Sequence, residues 1–340
     1  MPLKLTTYRR SADVPPGLPH CHTFHSIELM RAYEVTPGYT PLMVVASEGG
    51  RPVACLLGAM QQYYRHLPGV PLRRCEIYGV GEYFDNPLSK ETDEGQKAAS
   101  NREFLFGEML KRITDVALTE CSMVELRNIE WPMFGYKAFR DNNYFAVSWL
   151  RVRNSLHSVE RASDRFSSSR LRQVRKGLRN GAEVREARTV DEVREFAMML
   201  RGVYSSKIRR HLPDMAFFRH ILQLMVPTGQ CKIFLVAYHG RIIGGSVCIY
   251  SGTNAYLWFS GGLRKTYAMQ YPGILAVWGA MDDAKQRGFR HFEFVDVGLP
   301  FRYHGYREFV LRFGGNQLGT RRWFRLRSAW LNRLLAKFFE

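Results

Sequence analysis

Apolar residues recur in the same order twice along this chain. Residues 43–56 (MVVASEGGRPVACL) place a β-branched run, a glycine turn with Arg51 and a second apolar run in succession. This predicts two antiparallel strands joined by a hairpin. Residues 234–248 (FLVAYHGRIIGGSVC) repeat that order. Each hairpin is followed by a third strand (75–80; 255–259), a helix (101–118; 273–287) and a fourth strand (123–126; 291–295). In the second of these helices Ile274, Val277, Trp278 and Met281 stand at i, i+3, i+4 and i+7. Asp282, Lys285 and Gln286 lie off that stripe and Gly288 follows it, so one face packs on a sheet. An aromatic-rich turn (131–139; 303–313) then leads into a last strand (144–152; 318–326). The pattern predicts a duplicated α/β fold of the α+β kind, with mixed, mostly antiparallel sheets flanked by helices. The polar stretch 154–169, with Ser167, Ser168 and Ser169 in a row, places the boundary near residue 155, giving domains 1–155 and 156–340.

Composition narrows the class. With 340 residues, 46% hydrophobic and 24% charged, the chain is long enough for two packed cores and is not a disordered polymer. The first twenty residues hold Lys4, Arg9, Arg10 and three prolines but no signal-like apolar run, and no later stretch is long and apolar enough to span a bilayer. A cytoplasmic protein is expected. Its six scattered cysteines then remain reduced thiols. A net charge of +18 attracts polyanions, whether nucleic acid, anionic lipid or a phosphate-rich cofactor.

Several clusters carry candidate chemistry. Between Arg170 and Arg179 five basic residues occur without an acid: Leu171, Val174 and Leu178 share one helical face, while Arg172, Arg175, Lys176 and Arg179 spread over the other. Such a face suits a phosphate-bearing ligand or is simply solvated. Lys207, Arg209 and Arg210 follow Tyr204 at a helix end, where they hold an anion or answer the helix dipole. Asp296 and Glu293 are acids near a strand end, on opposite faces of an ideal strand. Tyr303, His304 and Tyr306 crowd the next loop, as proton donors or as packing. His20, Cys21, His22 and His25 lack a second cluster to complete a tetrahedral metal site, so no metal is expected. Motifs of serine hydrolases, P-loop enzymes and zinc peptidases are missing.

From about residue 170 to 319 the chain resembles the FemAB-like branch of the acyl-CoA N-acyltransferase (GNAT) superfamily. The resemblance rests on RLRQVRKGLRNGAEVREA, FAMMLRGVYSSKIRRHLP, the hairpin, the Tyr271-Pro272 step, FEFVDVG and FVLRFGG taken in order. It implies two tandem GNAT-like domains. It also implies a substrate groove bordered by Arg172, Arg175, Lys176, Tyr204, Lys207 and Arg210. The donor cofactor, acyl-CoA, falls against Phe259, Ser260, Gly261, Arg264, Lys265 and Thr266, with backbone N–H groups of Phe259 to Gly261 as the oxyanion hole. Asp296 is implied as general base, with Glu293 and Tyr306 as further catalytic residues.

The chain departs from the family in two places. Arg264 and Ala268 fit the superfamily's pyrophosphate signature but its glycines are replaced, and Val310 stands where the branch has a lysine between Phe309 and Phe313. The implied activity is transfer of an acyl group from acyl-CoA or a related thioester to an amine of an amino sugar, amino acid or envelope precursor. Alternatives are a tRNA-dependent aminoacyltransferase of the cell-wall type and a non-catalytic binder of anionic envelope material. No long heptad-patterned insertion stands between residues 204 and 229, which puts tRNA second.

At the C-terminus Arg321, Arg322, Arg325, Arg327, Arg333 and Lys337 face a single acid, Glu340. From Trp330 on, Leu331, Leu334, Leu335 and Phe338 form a helical stripe. The helix either packs on the protein's own core or lies on an anionic membrane surface at the inner face of the membrane.

Overall fold

The computed structural model describes residues 2–18, 22–62, 73–84, 93–205, 209 and 211–339, with backbone alone for 93–100. Lys207 and Arg210, and with them His20 and Cys21, lie outside the described residues. Contacts divide the chain into two compact units, Met1–Ser148 with Thr320–Glu340, and Trp149–Gly319. Among the described residues no helix is long and apolar enough to cross a membrane.

The first unit contains β1 (Leu3–Tyr8), α1 (Ile27–Glu34), β2 (Tyr39–Glu48), β3 (Arg51–Gln62), β4 (Arg73–Tyr78), the short β5 (Glu82–Tyr83), α2 (Asp93–Glu120), β6 (Met123–Arg127) and α3 (Tyr136–Asp141). Its sheet runs β1-β2-β3-β4-β6, antiparallel except for the parallel β4–β6 pair. The β2–β3 turn is Gly49-Gly50, both at positive φ, the left-handed geometry of a tight two-residue hairpin. Leu105, Phe106, Met109, Leu110 and Ile113 turn one side of α2 onto the sheet and are lost to solvent.

The second unit opens with the end of β7 (Phe145–Ser155) and continues through α4 (Ser168–Arg179), β8 (Glu183–Glu186), α5 (Val190–Val203), α6 (Met215–Leu224), β9 (Cys231–Tyr238), β10 (Arg241–Ser251), β11 (Asn254–Gly262), α7 (Pro272–Gln286), β12 (His291–Phe294) and α8 (Gly305–Leu311). The hairpin turn is again left-handed, His239 and Gly240 at φ 47° and 74°. The sheet runs β7-β12-β11-β10-β9-β8, with β11 and β12 the parallel pair. Ile274, Leu275, Val277, Ala280 and Met281 press α7 onto it, each burial contributing on the order of 1–3 kcal/mol.

The last strand, β13 (Asn316–Leu326), is followed by α9 (Ala329–Phe339). Arg322 to Leu326 of β13 pair with β6 in the first unit, while Val152 to Ser155 of β7 pair with β12 in the second. Each unit therefore takes its closing strand from the other half of the sequence. The chain changes unit between Ser148 and Trp149, inside β7, whereas the polar stretch near residue 155 only marks where that strand ends.

Candidate functional site

The parallel pair in the second unit comes apart midway. Its ladder ends at Leu257↔Phe294, where β12 stops, while β11 runs on to Gly262. At the same point β11 carries a bulge: Leu257 faces Cys248 and Phe259 faces Val247, so Trp258 is the extra residue. Beyond the bulge β11 keeps only β10 as its neighbour in the ladder.

Four side chains or backbone groups meet here. The Tyr204 hydroxyl, at the end of α5, donates to the carbonyl of Ser260 at 2.7 Å. Burial pushes the Tyr204 phenol up to about 12, the Ser260 bond opposes that, and the charge of Asp296 adds to it. Burial likewise raises the Tyr306 phenol, helped by Tyr204 and Asp296 and opposed by a hydrogen bond to Ser260. Asp296 itself is exposed, two residues past β12, and accepts the indole N–H of Trp149 at 3.0 Å. The cluster sets a solvent-reachable carboxylate beside two phenols whose burial favours the protonated form.

A cavity of about 640 Å³ lies at the end of β11, lined by Gly262, Arg264 and Lys265 on one side and by Gly273 and Ile274 of α7 on another. Helix α7 starts without a side-chain cap: Tyr271 sits in the left-handed region at φ 48°, and Pro272 occupies the first turn. An uncapped helix start with basic residues beside it favours an anion. The approach is close, since a Cβ on Gly262 would fall 2.4 Å from the Gly273 nitrogen. No larger residue fits there without moving the helix.

Arg170 lines the same cavity and was not singled out by sequence except as the first of the basic run. It is 2% exposed, with its guanidinium 4.6 and 4.5 Å from the rings of Phe309 and Phe313. It donates to the Phe309 carbonyl at 2.8 Å and to the Gln173 side chain at 3.2 Å, and its Nε has no partner. Burial, and then the nearby Arg312, lower it to about 10, so it stays charged. Arg312 also lines the cavity.

The other expected residues disperse. Arg172, Arg175 and Lys176 line a separate depression of about 650 Å³ with Leu178 and Arg179, on the outer side of α4. Glu293 is fully buried and ion-paired to Arg153 of β7; burial weakens its acidity, with Arg151 and Arg153 acting against that. Its neighbours are not those of Asp296. The Phe259 ring packs edge-on against Phe218 of α6. A Cβ on Gly261 would meet Leu200, and Thr266 is exposed and outside the cavity lining. Val310, at the family's lysine position, is buried in the core. Arg307 is committed to the carbonyls of Leu299 and Arg302 at 2.8 and 2.6 Å, bracing the loop that carries Tyr303. Among the described residues no three His, Cys, Asp or Glu side chains are grouped to hold a metal.

Residues 168–303 match the family model described as the acetyltransferase (GNAT) domain. Over most of its length the chain shares its fold with solved structures of low sequence identity. A crystal structure of FemX superposes with a TM-score of 0.63 at 11% identity, covering 92% of this chain and 94% of that one. A tandem GNAT protein from the clavulanic acid biosynthesis pathway gives 0.54 at 12% identity, over 96% and 99% of the two chains. The C-terminal domain of a protein described as a lysylphosphatidylglycerol synthetase, from Agrobacterium fabrum, gives 0.55 at 11% identity over 93% and 91%. No curated protein sequence matches the chain.

Proposed function

We propose that this protein is an N-acyltransferase that takes its acyl group from acyl-CoA or a related thioester and delivers it to an amine of a small or envelope-precursor acceptor. The observation that carries the reading is that the β11–β12 ladder ends at Leu257 and Phe294 while β11 runs on to Gly262, which lines the cavity at the start of α7. The thioester chain lies along the free edge of β11, and its pyrophosphate reaches the uncapped α7 turn beside Arg264 and Lys265. Backbone N–H groups after the Trp258 bulge receive the carbonyl oxygen as it gains charge. The acceptor nitrogen attacks the thioester carbon while Asp296 takes the amine proton; the C–S bond breaks, and Tyr306 supplies the proton to the departing thiolate. Tyr204 holds Ser260 and with it the strand edge. A thioester donor places the reaction in the cytoplasm.

A second reading, with aminoacyl-tRNA as donor, draws on the basic ridge of α4, where Arg172, Arg175, Lys176 and Arg179 border one depression, and on the likeness to FemX. Thermal denaturation with CoA, acetyl-CoA or aminoacyl-tRNA separates the two. A thioester ligand at a hundredfold excess over its Kd adds about 2.7 kcal/mol, and Arg264→Ala with Lys265→Ala removes most of that shift. A shift with aminoacyl-tRNA alone moves the donor to the second reading. Silence with all three overturns acyl transfer and leaves a binding protein for anionic material.

A further inference from the structure

The C-terminal helix α9 divides its surface three ways. One side is anchored in the first unit. Asn332, 4% exposed, accepts the Leu326 N–H at 2.8 Å and donates to the Asn143 carbonyl at 2.9 Å. The Phe339 ring stacks on Phe145 at 6.0 Å, and Leu331 and Leu335 are half-buried on the same side. A second side carries Trp330, Leu334 and Phe338, which remain 66, 54 and 79% exposed. They stand at i, i+4 and i+8, one above another along the helix. Next to that stripe, at i+3 and i+7 from Trp330, come Arg333 and Lys337, both exposed, and exposed Arg327 precedes the helix. The apolar stripe expected from the sequence is thus split: Leu331 and Leu335 pack, while Leu334 and Phe338 join Trp330 in solvent.

We infer that α9 docks the protein on the surface of a membrane rich in anionic lipid, with Trp330, Leu334 and Phe338 entering the headgroup–acyl boundary and Arg327, Arg333 and Lys337 meeting lipid phosphates. The packed side fixes which face of the helix turns outward, so the stripe is presented ready-made. Charge selects the occupant. No acid occurs between Thr320 and Phe339, and the whole chain carries +18. A second copy would bring the same cations against these, whereas an anionic bilayer answers the apolar stripe and the cations together. Tryptophan suits such a boundary because its ring is apolar and its N–H is not. Its 11 described residues, Ala329–Phe339, are enough to lie on a bilayer surface. The inference stands apart from the choice of acyl donor.

Sedimentation of the full chain with vesicles of phosphatidylglycerol and phosphatidylcholine, against phosphatidylcholine alone, tests it. The wild type is expected to pellet with the anionic vesicles. Trp330→Ser/Leu334→Ser/Phe338→Ser, which leaves every charge in place, should bind at least about tenfold more weakly. Arg333→Gln/Lys337→Gln should weaken binding to anionic vesicles by about tenfold or more and leave phosphatidylcholine unchanged. Because all five side chains are exposed, both variants should melt with the wild type. Equal binding by the serine variant, or a wild type that stays in the supernatant, overturns the proposal. So does sedimentation equilibrium showing a wild-type dimer that the serine variant dissolves, since a second copy then covers the stripe.

Discussion

Asp296 and Arg170 show how differently two charges in one unit are used. Asp296 is exposed and accepts the indole N–H of Trp149, and the proposed mechanism gives it the amine proton. Asp296→Asn keeps that indole contact but cannot take the proton; free thiol released per enzyme should fall by roughly a hundredfold or more, with KM little changed. Unchanged turnover would leave Asp296 a structural role. Arg170 is a buried cation held by a carbonyl, an amide and two aromatic rings. Arg170→Met preserves the packing and removes the charge, so stability in urea should hold or rise, while CoA binding by calorimetry should weaken by about tenfold. Equal affinity would confine Arg170 to holding α8.

The site depends on how closely elements approach. Gly262 at the end of β11 touches the first turn of α7, and only a residue without Cβ allows it. Gly262→Ala forces the two apart; the expected cost is about 1–3 kcal/mol in denaturant unfolding, with a larger loss of CoA binding than of stability. The same closeness recurs at Gly244, whose Cβ would lie 2.9 Å from the Pro272 carbonyl oxygen. These glycines sit in the second hairpin and its neighbour, where the sequence shows a turn-and-strand pattern but gives no sign of which backbone comes near.

At the scale of the molecule, β13 is the strand on which the first unit relies. It brings Trp323, fully buried, to stack on Phe139 at 4.3 Å. It also brings Arg322, whose guanidinium lies 3.1 Å from Glu125. Truncation after Gly319 should therefore yield an unfolded first unit, seen as loss of one cooperative transition, whereas truncation after Ser328 should keep both. Glu125 also sets a pH dependence. Burial alone would raise its carboxyl, but Arg127, Arg322 and Arg74 together hold it down at about 2. A carboxyl depressed below its unfolded value of about 4.3 stabilises fully above that value and loses the contribution as pH falls towards 2. Wild-type stability should drop between about pH 4.5 and 2 more steeply than that of Glu125→Gln, which at neutral pH is itself less stable by about 3–5 kcal/mol.

Periodicity alone determined the duplicated order of hairpin, strand, helix and strand, because alternation and 3.6-residue stripes are local and survive any packing. Ordered motifs from Arg170 to Gly319 were enough to suggest the superfamily, while the third strand expected at 255–259 runs on through Gly261 and Gly262. Which closing strand belongs to which sheet was not legible: residues 144–152 and 318–326 carry the same pattern, and strand partners are chosen by contacts far apart in sequence. Nor was the sorting of charged residues. Glu293 and Asp296 are three apart, yet one is sealed in the sheet against Arg153 and the other stands in solvent beyond it. Arg170 and Arg172 are two apart, yet one turns into the cavity and the other onto the outer face of α4. Burial and partnership belong to the three-dimensional arrangement, and they decide which charge is sealed in a pair and which stays exposed.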